Sequence, residues 1–160
     1  MPCLRNGDFK LIESGAIAEY LENTHPEPTL TVNNMQVLTE IQSSVFPAIA
    51  KFIKAPSYDA DLEKSLMVQL GALNDHMQGK TYLAGDKLSL VDFSLAPKLY
   101  HMEATLEEFY PKVHEKLVMD AGTLPALKSY MDTMFAHEAF KAALYPKETV
   151  IWGWSAARSS

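Results

Sequence analysis

Two adjacent polar residues, Glu13 and Ser14, separate two segments of different apolar spacing. A short apolar run at residues 9–12 precedes them, and a run with helical spacing at residues 15–22 follows them. A carboxylate and a hydroxyl beside the free amides of a helix N-terminus could hold a ligand that carries both an ammonium and a carboxylate. An ordinary helix cap with an acidic neighbour would show the same local sequence. The pair therefore indicates either a small-molecule binding corner or a simple cap.

The single cysteine, Cys3, is the first candidate for a nucleophile. A reactive thiolate prefers a helix N-terminus or a cationic neighbour, whereas Cys3 lies in a strand-like apolar segment where burial would raise its pKa. We therefore expect Cys3 to be an inert core residue. One cysteine also excludes an internal disulfide, makes a thiolate metal site implausible and favours a reducing compartment.

Metal, nucleic-acid and membrane functions are disfavoured by the composition. The five histidines are scattered without metal-ligand spacing, and His101 is expected to be a satisfied histidine in the core or a groove. A net charge of −6 argues against nucleic acid and anionic lipid as partners. No apolar run approaches the roughly 20 residues of a membrane span, and no signal or transit peptide is recognisable. A cytoplasmic protein without a metal is expected.

The polar pair would be positioned by a β-hairpin and a short helix. Asn6 and Gly7 separate two short apolar runs, which predicts two antiparallel strands joined by a type I′ turn. The Met1–Pro2 bond could be an ordinary trans strand start or a cis turn, with trans as the default. The helix should end before the proline-containing segment 26–31, which predicts a linker. The abrupt strand-like opening of the chain suggests that its natural beginning is missing.

The rest of the chain predicts an antiparallel helical bundle. Long helices are expected at residues 32–54, with a kink at Pro47, at 59–78 and at 89–110. Ser89 and Asp92 have the spacing of a capping box at the start of the third of these. Shorter helices are expected at 124–135 and 137–144, followed by an aromatic tail whose last residues, 155–160, should be frayed. The fold class is therefore mainly α.

The order of these features resembles the glutathione transferase superfamily. Pro2, Glu13 and Ser14 match the cis-proline turn and the acidic-Ser pair that close its thioredoxin-like N-terminal domain. Within the superfamily, the segments FPAIAKFIK (46–54), LAPKLYH (95–101) and 23–28, with the tail around Trp154, are similar to plant and algal dehydroascorbate reductases. The resemblance implies three parts: residues 1–25 as the end of a thioredoxin-like domain, a linker at 26–31, and an all-α C-terminal domain at 32–160.

The resemblance also implies a chemistry, the reduction of dehydroascorbate to ascorbate by two glutathiones. Glu13 would receive the glutathione ammonium and Ser14 its γ-carboxylate, while the backbone at Met1 and Pro2 would pair with the cysteinyl backbone of glutathione. The catalytic cysteine of the family would lie upstream, so this chain would hold no catalytic residue and Cys3 would not replace it. The implied protein is a monomer in the cytoplasm or, alternatively, the chloroplast.

Two alternatives remain open. The chain could be a non-catalytic helical domain that keeps a residual glutathione-binding corner. It could also resemble the chloride intracellular channel proteins, which share the fold and imply redox-triggered membrane insertion. The charged residues of the third long helix and the plant-like LAPKLYH run favour the reductase over this last relative.

Overall fold

The computed structural model describes residues 2–120 and 122–158, and most of them are helical. A β-hairpin leads into a short helix, and a linker connects that helix to the bundle. The elements in chain order are β1 Cys3–Asn6, β2 Phe9–Ile12, α1 Ser14–Thr24, α2 Met35–Lys54, α3 Ala60–Met77, α4 Leu90–Phe109, α5 Pro111–His114, a π-helical turn Glu115–Met119, α6 Pro125–Ala136, α7 Glu138–Ala143 and α8 Lys147–Arg158. The predicted mainly α class, a helical bundle behind a hairpin and helix, is confirmed.

The hairpin differs from the prediction at its turn. Asn6 pairs with Phe9 in the antiparallel register, so Gly7 and Asp8 are the two loop residues. Gly7 has a φ of 60°, whereas Asn6 and Asp8 are not in the positive-φ region. A glycine at the first central position with a negative φ at the second is the pattern of a type II′ turn, not of the predicted type I′ turn. Asn6 is thus the last residue of β1 and not a residue of the turn.

The prediction that Cys3 lies in a core was wrong, because Cys3 is exposed. Side chains alternate between the two faces of a strand, and the face that carries Leu4 and Leu11 is the more buried one. Cys3 and Ile12 are partners in the register and lie on the opposite face, where Ile12 is 51% exposed. An apolar sequence in a two-stranded hairpin therefore does not imply burial.

The hydrophobic core lies among the long helices. α2 packs against α3 and α4, α3 packs against α6, and α4 packs against α8. Pro47 lies inside α2 without ending it. The largest fully buried side chains come from these helices and the loop before α4: Leu38, Ile49, Phe52, Ile53, Leu66, Leu70, Leu73, Met77, Leu83, Leu95, Leu99 and Tyr130. The predicted apolar stripes therefore form one continuous core.

The C-terminal tail is more ordered than predicted. Residues 155–158 belong to α8, whereas a frayed end was expected at 155–160; residues 159 and 160 lie outside the described part of the chain. Arg158 donates to the Ile53 carbonyl at 2.6 Å, and its guanidinium lies 4.5 Å from the ring centre of Phe109 and 5.0 Å from that of Tyr110. These contacts join α8 to α2 and α4, which sequence periodicity could not reveal.

None of the helices in the described part of the chain is long and apolar enough to cross a membrane.

Candidate functional site

The polar corner predicted at Glu13 and Ser14 has an unusual backbone. β2 ends at Ile12, α1 begins at Ser14, and Glu13 connects them with φ 74° and ψ 121°. Side chains rarely adopt a positive φ, since the Cβ atom then crowds the backbone, and the strain is of order 1–3 kcal/mol. Glu13 is the sole non-glycine residue with a positive φ among residues 2–120 and 122–158. The sharp turn directs the chain from the hairpin straight into the helix.

The N-terminus of α1 is open to a ligand. The Ile17 amide bonds to the Glu13 carbonyl at 2.9 Å, so the amides of Ser14, Gly15 and Ala16 precede the first intrahelical bond. No side chain among residues 2–120 and 122–158 is recorded as capping this end, and both Glu13 and Ser14 are exposed. A Cβ built on Gly15 would meet nothing within 4 Å. The simple side-chain cap left open by the sequence is therefore not what the structure contains.

The hairpin holds α1 in place through Tyr20. The Phe9 and Tyr20 rings stack with their centres 5.2 Å apart, and the Asn6 side-chain amide donates to the Tyr20 hydroxyl at 3.2 Å. Asn6 and Phe9 are partners in the strand register. These contacts fix the axis of α1 against the hairpin, and hence the direction in which its N-terminal amides point.

The structure brings three of the four predicted glutathione-binding residues to one end of the hairpin. Cys3 pairs with Ile12, so Pro2 and Glu13 follow at the same open end, next to Ser14. Pro2 is exposed. Met1, the fourth, lies outside the described residues, and so does the peptide bond that it forms with Pro2. Cys3 is a near neighbour of the corner along the strand, but it is not at a helix N-terminus.

Glu22, which the sequence reading overlooked, ties α1 to the linker. Its Oε1 accepts from the amides of Leu30 at 2.8 Å and Thr31 at 2.9 Å and from the Thr29 hydroxyl at 2.9 Å. Burial alone would raise the pKa of Glu22, but these hydrogen bonds together hold it below the usual value. A solitary glutamate late in a helix gives no sequence signal for such a clamp.

The linker is in turn fixed to the bundle. The Leu90 amide at the start of α4 donates to the Leu30 carbonyl at 3.1 Å. The predicted capping box at Ser89 and Asp92 is present, and Asp92 accepts from the Ser89 amide at 2.8 Å. It also accepts from the Leu83 amide at 2.9 Å. A continuous chain of hydrogen bonds therefore runs from α1 through the linker to α4.

His101 is a satisfied histidine in a half-buried position, as the sequence indicated. The Trp154 indole N–H donates to its Nδ1 at 3.1 Å, and its Nε2 contacts the Tyr145 hydroxyl. Burial lowers the pKa of His101 and raises that of Tyr145. No group of three His, Cys, Asp or Glu side chains suited to a metal ion occurs in residues 2–120 and 122–158.

Comparison with known proteins gives one family and several relatives. The family described as "Glutathione S-transferase, C-terminal domain" matches residues 37–138. "Glutathione S-transferase DHAR2" of Arabidopsis thaliana is 33% identical over 144 residues, which is 89% of this chain and 64% of that protein. "Glutathione S-transferase DHAR3, chloroplastic", from the same plant, is 33% identical over 155 residues, which is 96% of this chain and 57% of that protein. The chain thus spans less than two thirds of the length of these two relatives.

A solved structure extends the similarity to the fold. The crystal structure of Chlamydomonas reinhardtii dehydroascorbate reductase superposes with a TM-score of 0.75 at 27% identity, covering 98% of this chain and 72% of that one. The superposition includes the hairpin and α1 as well as the bundle, because nearly the whole chain is covered.

Proposed function

Because the chain belongs to the glutathione S-transferase superfamily, we propose that it binds the γ-glutamyl end of glutathione and serves glutathione-dependent reduction of dehydroascorbate. The proposal is supported by a solved structure that is named as a dehydroascorbate reductase. It is also supported by the two plant relatives, which are named as the glutathione S-transferases DHAR2 and DHAR3. The observation that carries the binding step is the open helix N-terminus beside the strained Glu13. Glutathione is the reductant, and no metal takes part.

The corner offers a separate partner for each charged group of the γ-glutamyl moiety. The Glu13 carboxylate would pair with the ammonium. The Ser14 hydroxyl and the amides at the start of α1 would bind the carboxylate, where the helix dipole also favours a negative charge. Pro2 lies at the same end of the hairpin, and the backbone that it shares with Met1 would pair with the cysteinyl residue of the tripeptide. The γ-glutamyl and cysteinyl residues of the ligand would thus lie beside adjacent strands.

The redox step needs a thiolate that we place outside this chain. Two glutathiones reduce one dehydroascorbate to ascorbate and leave as one glutathione disulfide, and a low-pKa cysteine would carry the mixed disulfide between the two steps. Cys3 lies in β1 and not at the N-terminus of a helix. We therefore propose an upstream cysteine as nucleophile, and a monomeric reductase in the cytoplasm or, alternatively, the chloroplast.

Isothermal titration of the 160-residue chain with glutathione tests the binding step. Glu13→Gln and Ser14→Ala should each weaken binding about tenfold, which corresponds to about 1.4 kcal/mol. Glu19→Gln is the matched control, since Glu19 is an exposed carboxylate on the same helix, and it should bind as the wild type does. Absence of saturable binding, or equal affinity in all four proteins, would contradict the proposal.

An assay of dehydroascorbate reduction tests whether the catalytic thiolate lies outside this chain or is Cys3. The measurement follows the formation of ascorbate by its ultraviolet absorbance in the presence of glutathione. We expect no turnover by this chain alone. Turnover that is retained in Cys3→Ser would contradict our placement of the thiolate, and turnover that is lost in that variant would assign the nucleophile to Cys3.

A further inference from the structure

A cavity lies at one end of the helical bundle, between the loop before α3 and the segment after α4. It has a volume of about 650 Å³, within the range of about 300–1,000 Å³ typical of small-molecule sites. Its walls are mainly apolar and include Tyr58, Tyr110, Pro111 and Val113. Tyr110 is 7% exposed and Val113 is 5% exposed, so both belong to a fixed interior surface, whereas Tyr58 is 57% exposed and forms the rim.

The wall at Tyr110 is rigid. Its hydroxyl donates to the Ala55 carbonyl at 2.9 Å and accepts from Arg158 at 3.0 Å. Its ring also packs against Phe52, with 4.7 Å between the ring centres. A side chain held at both the hydroxyl and the ring cannot turn to fill the cavity, so the space beside it persists.

Polar groups converge on the same cavity. Glu63 accepts from the Lys116 ammonium at 2.7 Å and from the Tyr58 hydroxyl at 2.8 Å. The hydrogen bond from Lys116 is the main reason that the pKa of Glu63 lies below its usual value, while the bond to Glu63 raises the pKa of Tyr58. Glu63 is therefore ionised and already engaged by two donors.

The charge of the lining is positive although the chain as a whole is acidic. Lys112 also lines the cavity, and it makes no ion pair within the described residues. One carboxylate thus faces two ammonium groups in a protein whose net charge is −6. Lys116 keeps two N–H donors after its bond to Glu63. These donors are suited to an acidic group on a ligand, and they lie beside apolar walls that are suited to a flat ring.

We propose that this cavity binds a small planar organic anion, with its ring against the exposed Tyr58 and Pro111 and its acidic group at Lys112 and Lys116. The apolar wall supplies contact area, and the lysines select an anionic over a neutral ligand. The site is separate from the glutathione corner, since no residue is shared between the two. The ligand class follows from the lining alone and does not depend on the proposed reductase function.

Fluorescence titration of the full 160-residue chain with 1-naphthoate tests this assignment, and 1-naphthamide serves as the uncharged analogue of the same shape. We expect saturable binding of naphthoate below about 1 mM and at least tenfold weaker binding of the amide. Lys112→Gln should lower naphthoate affinity about fivefold or more, whereas Lys112→Arg should retain it. Lys64→Gln changes an exposed lysine of α3 that does not line the cavity, and it should have no effect.

Two further variants examine the apolar wall and the independence of the site. Tyr58→Phe keeps the ring and should bind as the wild type does, whereas Tyr58→Ala should bind more weakly; circular dichroism checks that both remain folded. Glu13→Gln should leave naphthoate affinity unchanged. Equal binding of acid and amide, or unchanged affinity in both Lys112→Gln and Tyr58→Ala, would overturn the proposal. Loss of naphthoate binding in Glu13→Gln would also overturn it, because binding would then belong to the glutathione corner.

Discussion

Replacement of Asp92 by alanine should cost a large part of the stability of this fold. The side chain is fully buried at the start of α4, and it accepts hydrogen bonds from the Leu83 amide, the Ser89 amide and the Ser89 hydroxyl at 2.9, 2.8 and 2.7 Å. Asp92→Ala leaves two buried amides without an acceptor, at about 1–3 kcal/mol each. The expected loss is about 4 kcal/mol, against about 5–15 kcal/mol for a whole domain.

A graded series separates the capping role from simple loss of a charge. Ser89→Ala removes the hydroxyl of the capping box but leaves the Leu83 and Ser89 amides bonded to Asp92, so it should cost about 1 kcal/mol. Asp92→Asn turns one acceptor into a donor that faces the Ser89 amide, and should cost nearly as much as Asp92→Ala. Asp75→Ala, at an exposed aspartate of α3, is the control and should stay within about 0.5 kcal/mol.

Urea unfolding at pH 7, followed by circular dichroism at a helix band, gives the free energies of unfolding for this series. The m-values should be similar among the variants, because the same surface is exposed on unfolding. A loss below about 1 kcal/mol for Asp92→Ala would refute the reasoning. A loss for Asp92→Ala no larger than that for Ser89→Ala would also refute it, because leaving two buried amides without an acceptor would then cost no free energy.

Three other predictions follow from single contacts. Cys3 is exposed, so a disulfide reagent should titrate one thiol in the native chain; a thiol that reacts only in denaturant would contradict this. Burial holds the pKa of folded His101 below its ordinary value of 6.5, so the unfolded chain binds the proton first. The free energy of unfolding should therefore fall as the pH drops below about 6.5 and level off below the folded pKa. Trp154→Phe removes the indole N–H that occupies Nδ1 of His101, so this variant should lose less stability at low pH than the wild type does. Equal losses of stability in the variant and the wild type would refute this reasoning. Glu22→Gln should speed hydrogen exchange at the Leu30 and Thr31 amides, which donate to the Glu22 carboxylate. Unchanged exchange at these amides would show that Glu22 does not hold the linker.

The sequence predicts helices well where local signals agree with the apolar stripe. α3 begins after Asp59, whose carboxylate accepts from the Asp61 and Leu62 amides at 2.9 and 3.0 Å, and Gly79 follows its end with a φ of 69°. Capping aspartate, apolar spacing and C-terminal glycine are all local properties, so they can be read without the fold. The bounds of the other long helices were predicted to within a few residues for the same reason.

Features that depend on distant partners escaped prediction. The order of α8 depends on Arg158, which donates to Ile53 across 105 positions of the chain. The π-helical turn after α5 buries Leu117 and Val118 in the core and has no signature in composition. The candidate site shows the same division. The Glu13–Ser14 pair is visible in the sequence, whereas the Glu22 clamp that fixes its helix is not.

The strained backbone at Glu13 offers a way to ask whether this corner exists for binding or for folding. Its φ of 74° is positive, and glycine tolerates a positive φ better than glutamate does because it has no Cβ atom. Glu13→Gly should therefore relieve part of the strain and raise the free energy of unfolding by about 1 kcal/mol. The same change removes the carboxylate proposed to hold the glutathione ammonium. Stability and affinity should therefore move in opposite directions, while Glu13→Gln should lower affinity without changing stability. Glutathione affinity that is kept in Glu13→Gly would refute the binding role, and stability that falls in that variant would refute the strain.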